Sequence, residues 1–358
     1  MTEAAQQYYQ FLYTAEPIDL QAIDQLLTSV PSNLLSPATQ TLLLSSFTLD
    51  QITNSAKRAP QNSSPGSDGL PYSILYLLFN HPLIASLAVN SCLIPAVQPV
   101  ISPIQTGFLP GKFIGNNGLT AQLIMDYARH HRLLGVGLII DQQKAYDLVH
   151  PTYLCLVLLH VVLFNLAFDP LLRTILNDSQ FHGFSISPSL GSFPTIAPRP
   201  IKALAYANDA LFFLTHLNDF NWLQEFLSLY SQTSNAMVNY HKTEAISLSG
   251  VSQPEWQALL QSAGITAWHD YHSLSAIRYL RYPLASTNPQ LNAFLDGLLV
   301  KLQTACDIHI QRGLSIQGRA TVINTLIMSK IWHVLRVTPD PKHFHQRGLG
   351  LLDSSLQQ

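Results

Sequence analysis

The alternation of apolar and polar residues predicts a β-hairpin just past the middle of the chain. Two apolar, β-favouring runs at 203–207 and 210–214 flank the polar pair Asn208-Asp209. Asn and Asp tolerate the positive φ angles that tight turns need, so the pattern predicts strand, turn and strand. Taken alone, the stretch is more typical of an ordinary hairpin with an Asx turn than of a catalytic site.

A second polar cluster follows a short apolar run at 136–140, which predicts a buried strand ending at Asp141. A carboxylate directly after a buried strand lies at the exit of the strand, where ligands usually meet a sheet. The same residues also have a plainer interpretation, in which Asp147 caps the next helix and Lys144 is solvated. Both interpretations stay open on local grounds.

Helical periodicity predicts further elements at 119–132, at 222–230 and from 295 to 337, where 314–319 breaks the last pattern into two helices. Two Gly-rich loops precede them. The first, at 65–69, is either a plain surface loop or a backbone cradle near a phosphate. The second carries the cation Lys112.

Charge is scarce and unevenly distributed. Only 11% of the 358 residues are charged, against a usual ~25%, and the formal net charge is −2. This balance argues mildly against a nucleic-acid partner, which normally meets a basic surface. From residue 301 onward, however, the sequence contains seven Lys or Arg residues and only three Asp residues.

The uncharged run at 148–168 is long enough for a membrane helix. His150, Pro151 and the lack of a flanking basic cluster weaken that interpretation, so we expect no membrane partner. The three cysteines are far apart, so we expect no disulfide partner. The polar N-terminus shows no signal peptide, which predicts an intracellular protein, nuclear or cytoplasmic.

Taken in order, these segments resemble the reverse transcriptase domain of non-LTR (LINE-type) retrotransposons. The similarity is spread over most of the chain, and its strength lies in the order and spacing of the motifs. The motifs are SPGSDGLPY at 64–72, QTGFLPGKFIGNN at 105–117, DQQKAYD at 141–147, YAND at 206–209, NYHKT at 239–243, YLRYPL at 279–284 and LSIQGR at 314–319.

The resemblance implies an α+β fold, the right-hand polymerase of fingers, palm and thumb, with parts of the fingers and palm missing. The implied divisions are 1–55 for a helical lead-in, 56–135 for residual fingers, 136–285 for the palm, 286–345 for a helical thumb and 346–358 for a tail.

The resemblance also implies the chemistry. Two Mg²⁺ would lie between palm carboxylates, with Asp141 and Asp209 as metal ligands and catalytic residues. The partners would be an RNA template and a DNA primer. The residues implied to contact the nucleotide are Tyr146, Lys242 and Lys112, and those implied to contact nucleic acid are Arg312, Arg319 and Lys330.

The chain departs from the family pattern at four places, and Asn208 together with the missing template- and nucleotide-binding motif predicts an impaired enzyme. Asn208 stands where the family has the first Asp of its Asp-Asp pair, and Asp209 is expected to point away if the turn is kept. A Gln-Gly-x-Pro-x-Ser-Pro segment after Leu159 and a basic fingers strand between Tyr72 and Gln105 are absent. Arg281 replaces a usual Gly. The alternatives are a non-catalytic nucleic-acid-binding remnant and a non-functional, pseudogene-like product.

Overall fold

The structure is a computed structural model, and it describes residues 18–31, 98, 101–107, 109, 111–143, 153, 164–186, 199–310, 315–328 and 333–338. Tyr146, Arg312 and Lys330 lie outside the described residues. So do the loop at 65–69 and most of the apolar run at 148–168.

Nine strands form within the described part of the chain. They are β1 Val136–Ile140, β2 Gln142–Gln143, β3 Ala203–Tyr206, β4 Asp209–Leu214, β5 Met237–Val238, β6 Glu244–Ser247, β7 Ala267–His269, β8 Ile277–Tyr279 and β9 Tyr282–Leu284. Five of them make the main sheet, in the order β3-β4-β1-β6-β7, and the others form the pairs β2-β5 and β8-β9.

The helices of the described residues flank this sheet and follow it. They are α1 Leu20–Leu27, α2 Ile114–His131, α3 Phe164–Asn177, α4 Leu217–Ser234, α5 Pro254–Ser262, α6 Asn288–Ile310 and α7 Ile316–Val322, which runs on into a π-helical turn at Ile323–Met328. This is an α+β fold, as expected.

Strand β1 is the centre of the sheet, antiparallel to β4 on one side and to β6 on the other. Successive side chains of a strand point to opposite faces, so each strand contributes to two cores. Leu138 and Phe212 pack into a core with α1, α3, α4 and α5. Leu211 and Phe213 pack on the other face, against α2 and the β8-β9 hairpin.

The C-terminal helices have a small core of their own. Leu295, Leu299 and Leu302 of α6 pack against Ile327 of the π-helical turn. The break between two helices was expected at 314–319, but α7 already begins at Ile316, so its position is wrong by several residues. The Ser315 hydroxyl caps this helix and accepts from the Gly318 amide at 3.2 Å. The helical periodicity in this part of the chain is therefore confirmed.

Two turns differ from the sequence prediction. In the hairpin of β3 and β4 the turn residues are Ala207 and Asn208, and Asp209 already belongs to β4. Only Ala207 has a positive φ, 53°, as the first central residue of a type II′ turn requires. A second turn, at Leu280 and Arg281, was not predicted: the motif at 279–284 contains the hairpin of β8 and β9, with φ of 52° and 70° at these two residues.

Among the described residues, no helix is long and apolar enough to cross a membrane. Cys306, the cysteine that lies in the described part of the chain, carries a free thiol.

The start of α4 is held by a buried carboxylate. Asp219 accepts hydrogen bonds from the backbone amides of Thr215, His216 and His182 and from Nδ1 of His182, at 2.9–3.0 Å. Burial alone would raise the pKa of Asp219, but these donors outweigh it and lower the pKa below its ordinary value. Asp219 therefore ties the loop before β3 to the first turn of α4.

We expect Asp219→Asn to lower the free energy of unfolding at pH 7 by about 2–3 kcal/mol, because an amide NH₂ cannot accept from the surrounding donors. A lowered folded-state pKa stabilises above the unfolded value of about 3.9, and that contribution is lost as pH falls through the folded-state pKa. Denaturant titrations of both forms in metal-free buffer should therefore show a full gap in the free energy of unfolding at pH 7 that begins to narrow only below about pH 4. A gap of the same size at every pH from 7 down to 2 would contradict this role of the carboxylate.

Candidate functional site

The pairing of β1 with β4 brings two carboxylates together. Ile140 lies opposite Ala210, so Asp141 follows the last paired residue of β1 and Asp209 precedes its partner on β4. Both aspartates line one open cleft of about 1150 Å³ between the main sheet and α6. The expectation that Asp209 points away is therefore wrong, because the turn precedes it and its side chain leaves the start of the strand toward Asp141.

The two carboxylates repel each other electrostatically. Burial raises the pKa of Asp209, and the negative charge of Asp141 raises it further. Two carboxylates that are partly buried and repel each other are stabilised by a bound cation. The electrostatics of this end of the sheet are thus those of a cation or acid–base site.

Lys242 reaches the same cleft through a tight turn fixed to Asp141. The amide of Asn239 donates to the carbonyl of Asp141 at 2.8 Å, and the amide and hydroxyl of Thr243 both donate to the carbonyl of Asn239 at 2.9 Å. This anchor places Lys242 among the residues lining the cleft. The structure therefore brings together three of the predicted site residues, Asp141, Asp209 and Lys242.

Three further cations line this cleft, and sequence reasoning did not assign them to the site. Arg278 and Arg281 come from the β8-β9 hairpin, and Lys301 comes from α6. Glu244 and His269, on the paired strands β6 and β7, also line it. Tertiary packing alone brings these residues to the cleft, and no local signal in the sequence assigns them to it.

The tip of the hairpin is clamped by one buried amide. Oε1 of Gln105 accepts from the amides of Ala207 and Gly107 at 2.8 and 3.1 Å, and its Nε2 donates to the carbonyl of Ala207 at 3.0 Å. Gln105 is fully buried. These bonds hold Ala207 in its left-handed conformation, which costs an L-residue roughly 1–2 kcal/mol.

The segment carrying Gln105 lies directly against β3. The amide of Thr106 donates to the carbonyl of Ala205 at 2.9 Å, as does Nδ2 of Asn117 at 3.1 Å. A side chain on Gly107 would place its Cβ 2.1 Å from the amide nitrogen of Ala207. Only glycine permits this approach. The QTG stretch at 105–107 therefore supports the turn between β3 and β4.

The donor set of the cleft fits one hard cation better than two. Asp141 and Asp209 are carboxylates, the ligands that Mg²⁺ favours, but the neighbouring turn position offers the neutral amide of Asn208. Among the described residues, the one set of three side chains close enough to share a metal lies elsewhere, at His182, His216 and Asp219. We therefore derive no catalytic step through a metal pair.

Other predicted residues lie away from this cleft. Lys112 lines a second cleft of about 960 Å³ along the edge of β3, with Asn117, Arg173 and Arg199. Arg319 is exposed on α7.

Fold and site together define an α+β protein with an acidic pair at one end of its sheet and cations facing it. No family model matches the chain. The chain is similar to the transposon TX1 uncharacterized 149 kDa protein of Xenopus laevis, at 22% identity over 427 aligned positions that cover 93% of this chain and 32% of that protein. The chain thus spans about a third of its relative's length. Since 93% of 358 residues is about 333, about 90 aligned positions have no counterpart here.

We expect Gln105→Ala to lower the free energy of unfolding by about 2–3 kcal/mol, because it removes the side-chain acceptor of the Ala207 amide and the donor to the Ala207 carbonyl in a buried position. The matched control is Gln25→Ala on the exposed side of α1, with a change within about 0.5 kcal/mol. Denaturant titration measures both. Equal, small effects would show that the clamp does not hold the hairpin.

Asp209→Asn should raise the melting temperature at pH 7. A raised folded-state pKa means that the ionised carboxylate destabilises the fold above the unfolded value of about 3.9, and the amide removes that charge. The gain should disappear below about pH 4, where the native carboxyl is also neutral. Asp24→Asn, at an exposed site on α1, is the control and should show no gain. A lower melting temperature for Asp209→Asn would contradict the repulsion from Asp141.

Proposed function

We propose that the chain is a retrotransposon-derived reverse transcriptase domain that keeps the nucleic-acid-binding cleft of a polymerase palm and is impaired in DNA synthesis. The observation that carries the proposal is the meeting of Asp141 and Asp209 at the ends of neighbouring antiparallel strands, in a cleft that also contains Lys242. The similarity to a transposon protein supports the origin.

On this proposal the divisions stay as the resemblance implies them. The main sheet with α3, α4 and α5 belongs to the palm, and α6 and α7, which share a separate core, form the thumb. The segment that braces β3 and the helix α2 belong to the residual fingers. The cleft between sheet and α6 then corresponds to the place where a primer–template duplex meets the palm. Its partners on this proposal are an RNA template and a DNA primer.

The cations of the cleft support nucleic-acid binding. Lys242, Arg278, Arg281 and Lys301 come from three separate elements and face one space. Phosphate contacts by Lys and Arg supply most of the sequence-independent affinity for nucleic acid. Arg281 also sits at a positive φ of 70°, a conformation that a glycine would adopt without cost. A strained cation that faces a cleft is a mark of function.

Two observations support impaired synthesis. Asn208 replaces a carboxylate at the hairpin tip, and removing even an outer partner of a metal site typically costs 10–100-fold in affinity or activity. The alignment leaves about 90 positions of the relative without a counterpart, which agrees with the absence of the template- and nucleotide-binding motif. On this proposal Mg²⁺ would be held by Asp141 and Asp209 alone, and Tyr146, Lys112, Arg312, Arg319 and Lys330 keep their implied contacts as part of the proposal.

Primer extension on an RNA template, with Mg²⁺ or Mn²⁺, tests the proposal that DNA synthesis is impaired. We expect the native chain to extend the primer no more than the Asp141→Ala variant does, because the metal site lacks its third carboxylate. Extension clearly above that variant would overturn the claim of impairment. The two proteins differ in one cleft residue only, so contaminating polymerases would act equally in both preparations.

Substitutions of Arg281 test the proposal that the cleft binds nucleic acid. We expect Arg281→Gln to weaken binding of an RNA–DNA duplex and to reduce the slope of log affinity against log salt by about one, because one phosphate contact is lost. Arg281→Gly should weaken binding equally while raising the melting temperature, because it also relieves the left-handed strain. Unchanged affinity in both variants, or no duplex binding by the native chain, would leave a non-functional product as the better account.

A further inference from the structure

A second cluster of ionisable side chains lies at the opposite end of β4. His182, His216 and Asp219 each place one potential ligand atom within 4.8 Å of the other two. β4 begins at Asp209 and ends at Leu214, one residue before Thr215, so six strand residues, or roughly 20 Å, separate this cluster from the acidic pair. The cluster plays no part in the site described above.

The contacts of the cluster have the dimensions of a metal site. Nδ1 of His182 lies 2.9 Å from Oδ1 of Asp219, and Nδ1 of His216 lies 4.0 Å from Oδ2. Ligands bound 2.0–2.2 Å from a tetrahedral ion are about 3.3 Å from one another. The observed separations bracket that value, so small rotations of the two histidines suffice to place an ion between them.

The accessibility of the three residues also suits a metal. The side chains of His182 and His216 are 47% and 60% exposed, whereas Asp219 is fully buried. The imidazole rings lie against each other with centroids 3.9 Å apart. An incoming ion would therefore reach two imidazole rings from solvent, beside a carboxylate that already accepts three backbone hydrogen bonds.

We propose that His182, His216 and Asp219 form a structural site for a borderline divalent transition-metal ion such as Zn²⁺, with water as the fourth ligand. The ion takes the place of the proton that His182 Nδ1 donates to Asp219, and that ring then carries its proton on Nε2, exchanged through solvent. The ion also displaces the 3.1 Å contact of His216 Nδ1 with Thr215 Oγ1. Imidazole ligands favour Zn²⁺, Ni²⁺ or Cu²⁺ over Mg²⁺.

The bound ion fastens two parts of the chain that are distant in sequence. His182 lies in the segment after α3, and His216 lies at the first turn of α4. Asp219 already joins them through hydrogen bonds, so the metal strengthens an existing junction. Its effect is on stability, and the cleft at Asp141 is left unchanged.

Calorimetric titration of the metal-free chain with ZnCl₂ tests the site, together with the absorption spectrum of the Co²⁺ form. We expect one saturable Zn²⁺ site, a rise in melting temperature with Zn²⁺, and a Co²⁺ spectrum typical of tetrahedral coordination. Mg²⁺ should produce none of these effects. His182→Ala and His216→Ala should each lower Zn²⁺ affinity at least tenfold.

A loss of Zn²⁺ affinity reports on the metal site only if the variant still folds. Both histidines are largely exposed, so each variant should fold, and circular dichroism checks this. Asp219 is left intact because it also caps α4. His272→Ala, at an exposed histidine beyond β7, is the matched control and should bind Zn²⁺ like the native chain. No saturable Zn²⁺ binding, or equal affinity in the native chain and both histidine variants, would overturn the proposal.

Discussion

The antiparallel pairing of β1 with β4 is the constraint on which the site depends. Its register sets Ile140 opposite Ala210 and so leaves Asp141 and Asp209 together at the open end of the two strands. A slip of one residue would turn every side chain of a strand to the other face. Alternate apolar residues of the two strands fill two different cores, so such a slip would move each of these side chains into the wrong core.

The site contains backbone strain that its surroundings support. Ala207 is held at a positive φ by the buried amide of Gln105, and Gly107 makes room for that contact. Leu280 and Arg281 occupy left-handed positions in the second hairpin, where Leu280 packs on the core and Arg281 faces the cleft. Ala207 precedes Asp209 by two residues and Arg281 lines the same cleft as the acidic pair, so two of the three left-handed residues lie close to the site.

Much of the sheet could be predicted from the sequence, because its signals are local. The run at 136–140 is a strand with the expected bounds, and the hairpin from Ala203 to Leu214 is present. The position of the turn could not be predicted, because Asn and Asp favour turns while the clamp from Gln105, about a hundred residues away, imposes positive φ on Ala207 instead. Arg278, Lys301 and His182 could not be assigned for the same reason: tertiary packing alone brings them to their clusters. The fingers, palm and thumb, like the nucleic-acid partners, remain proposals.

On the function proposed for this chain, the cleft keeps the carboxylates Asp141 and Asp209 and lacks a complete metal site. Titration with Mn²⁺, followed by electron paramagnetic resonance, tests it most directly in the native chain, in Asn208→Asp and in Asp141→Ala. The account predicts weak binding of one ion in the native chain, loss of that ion in Asp141→Ala, and binding at least tenfold tighter in Asn208→Asp, where the third carboxylate is restored. Tight binding of two Mn²⁺ ions by the native chain, or equal affinity with and without the Asn208→Asp change, would contradict it.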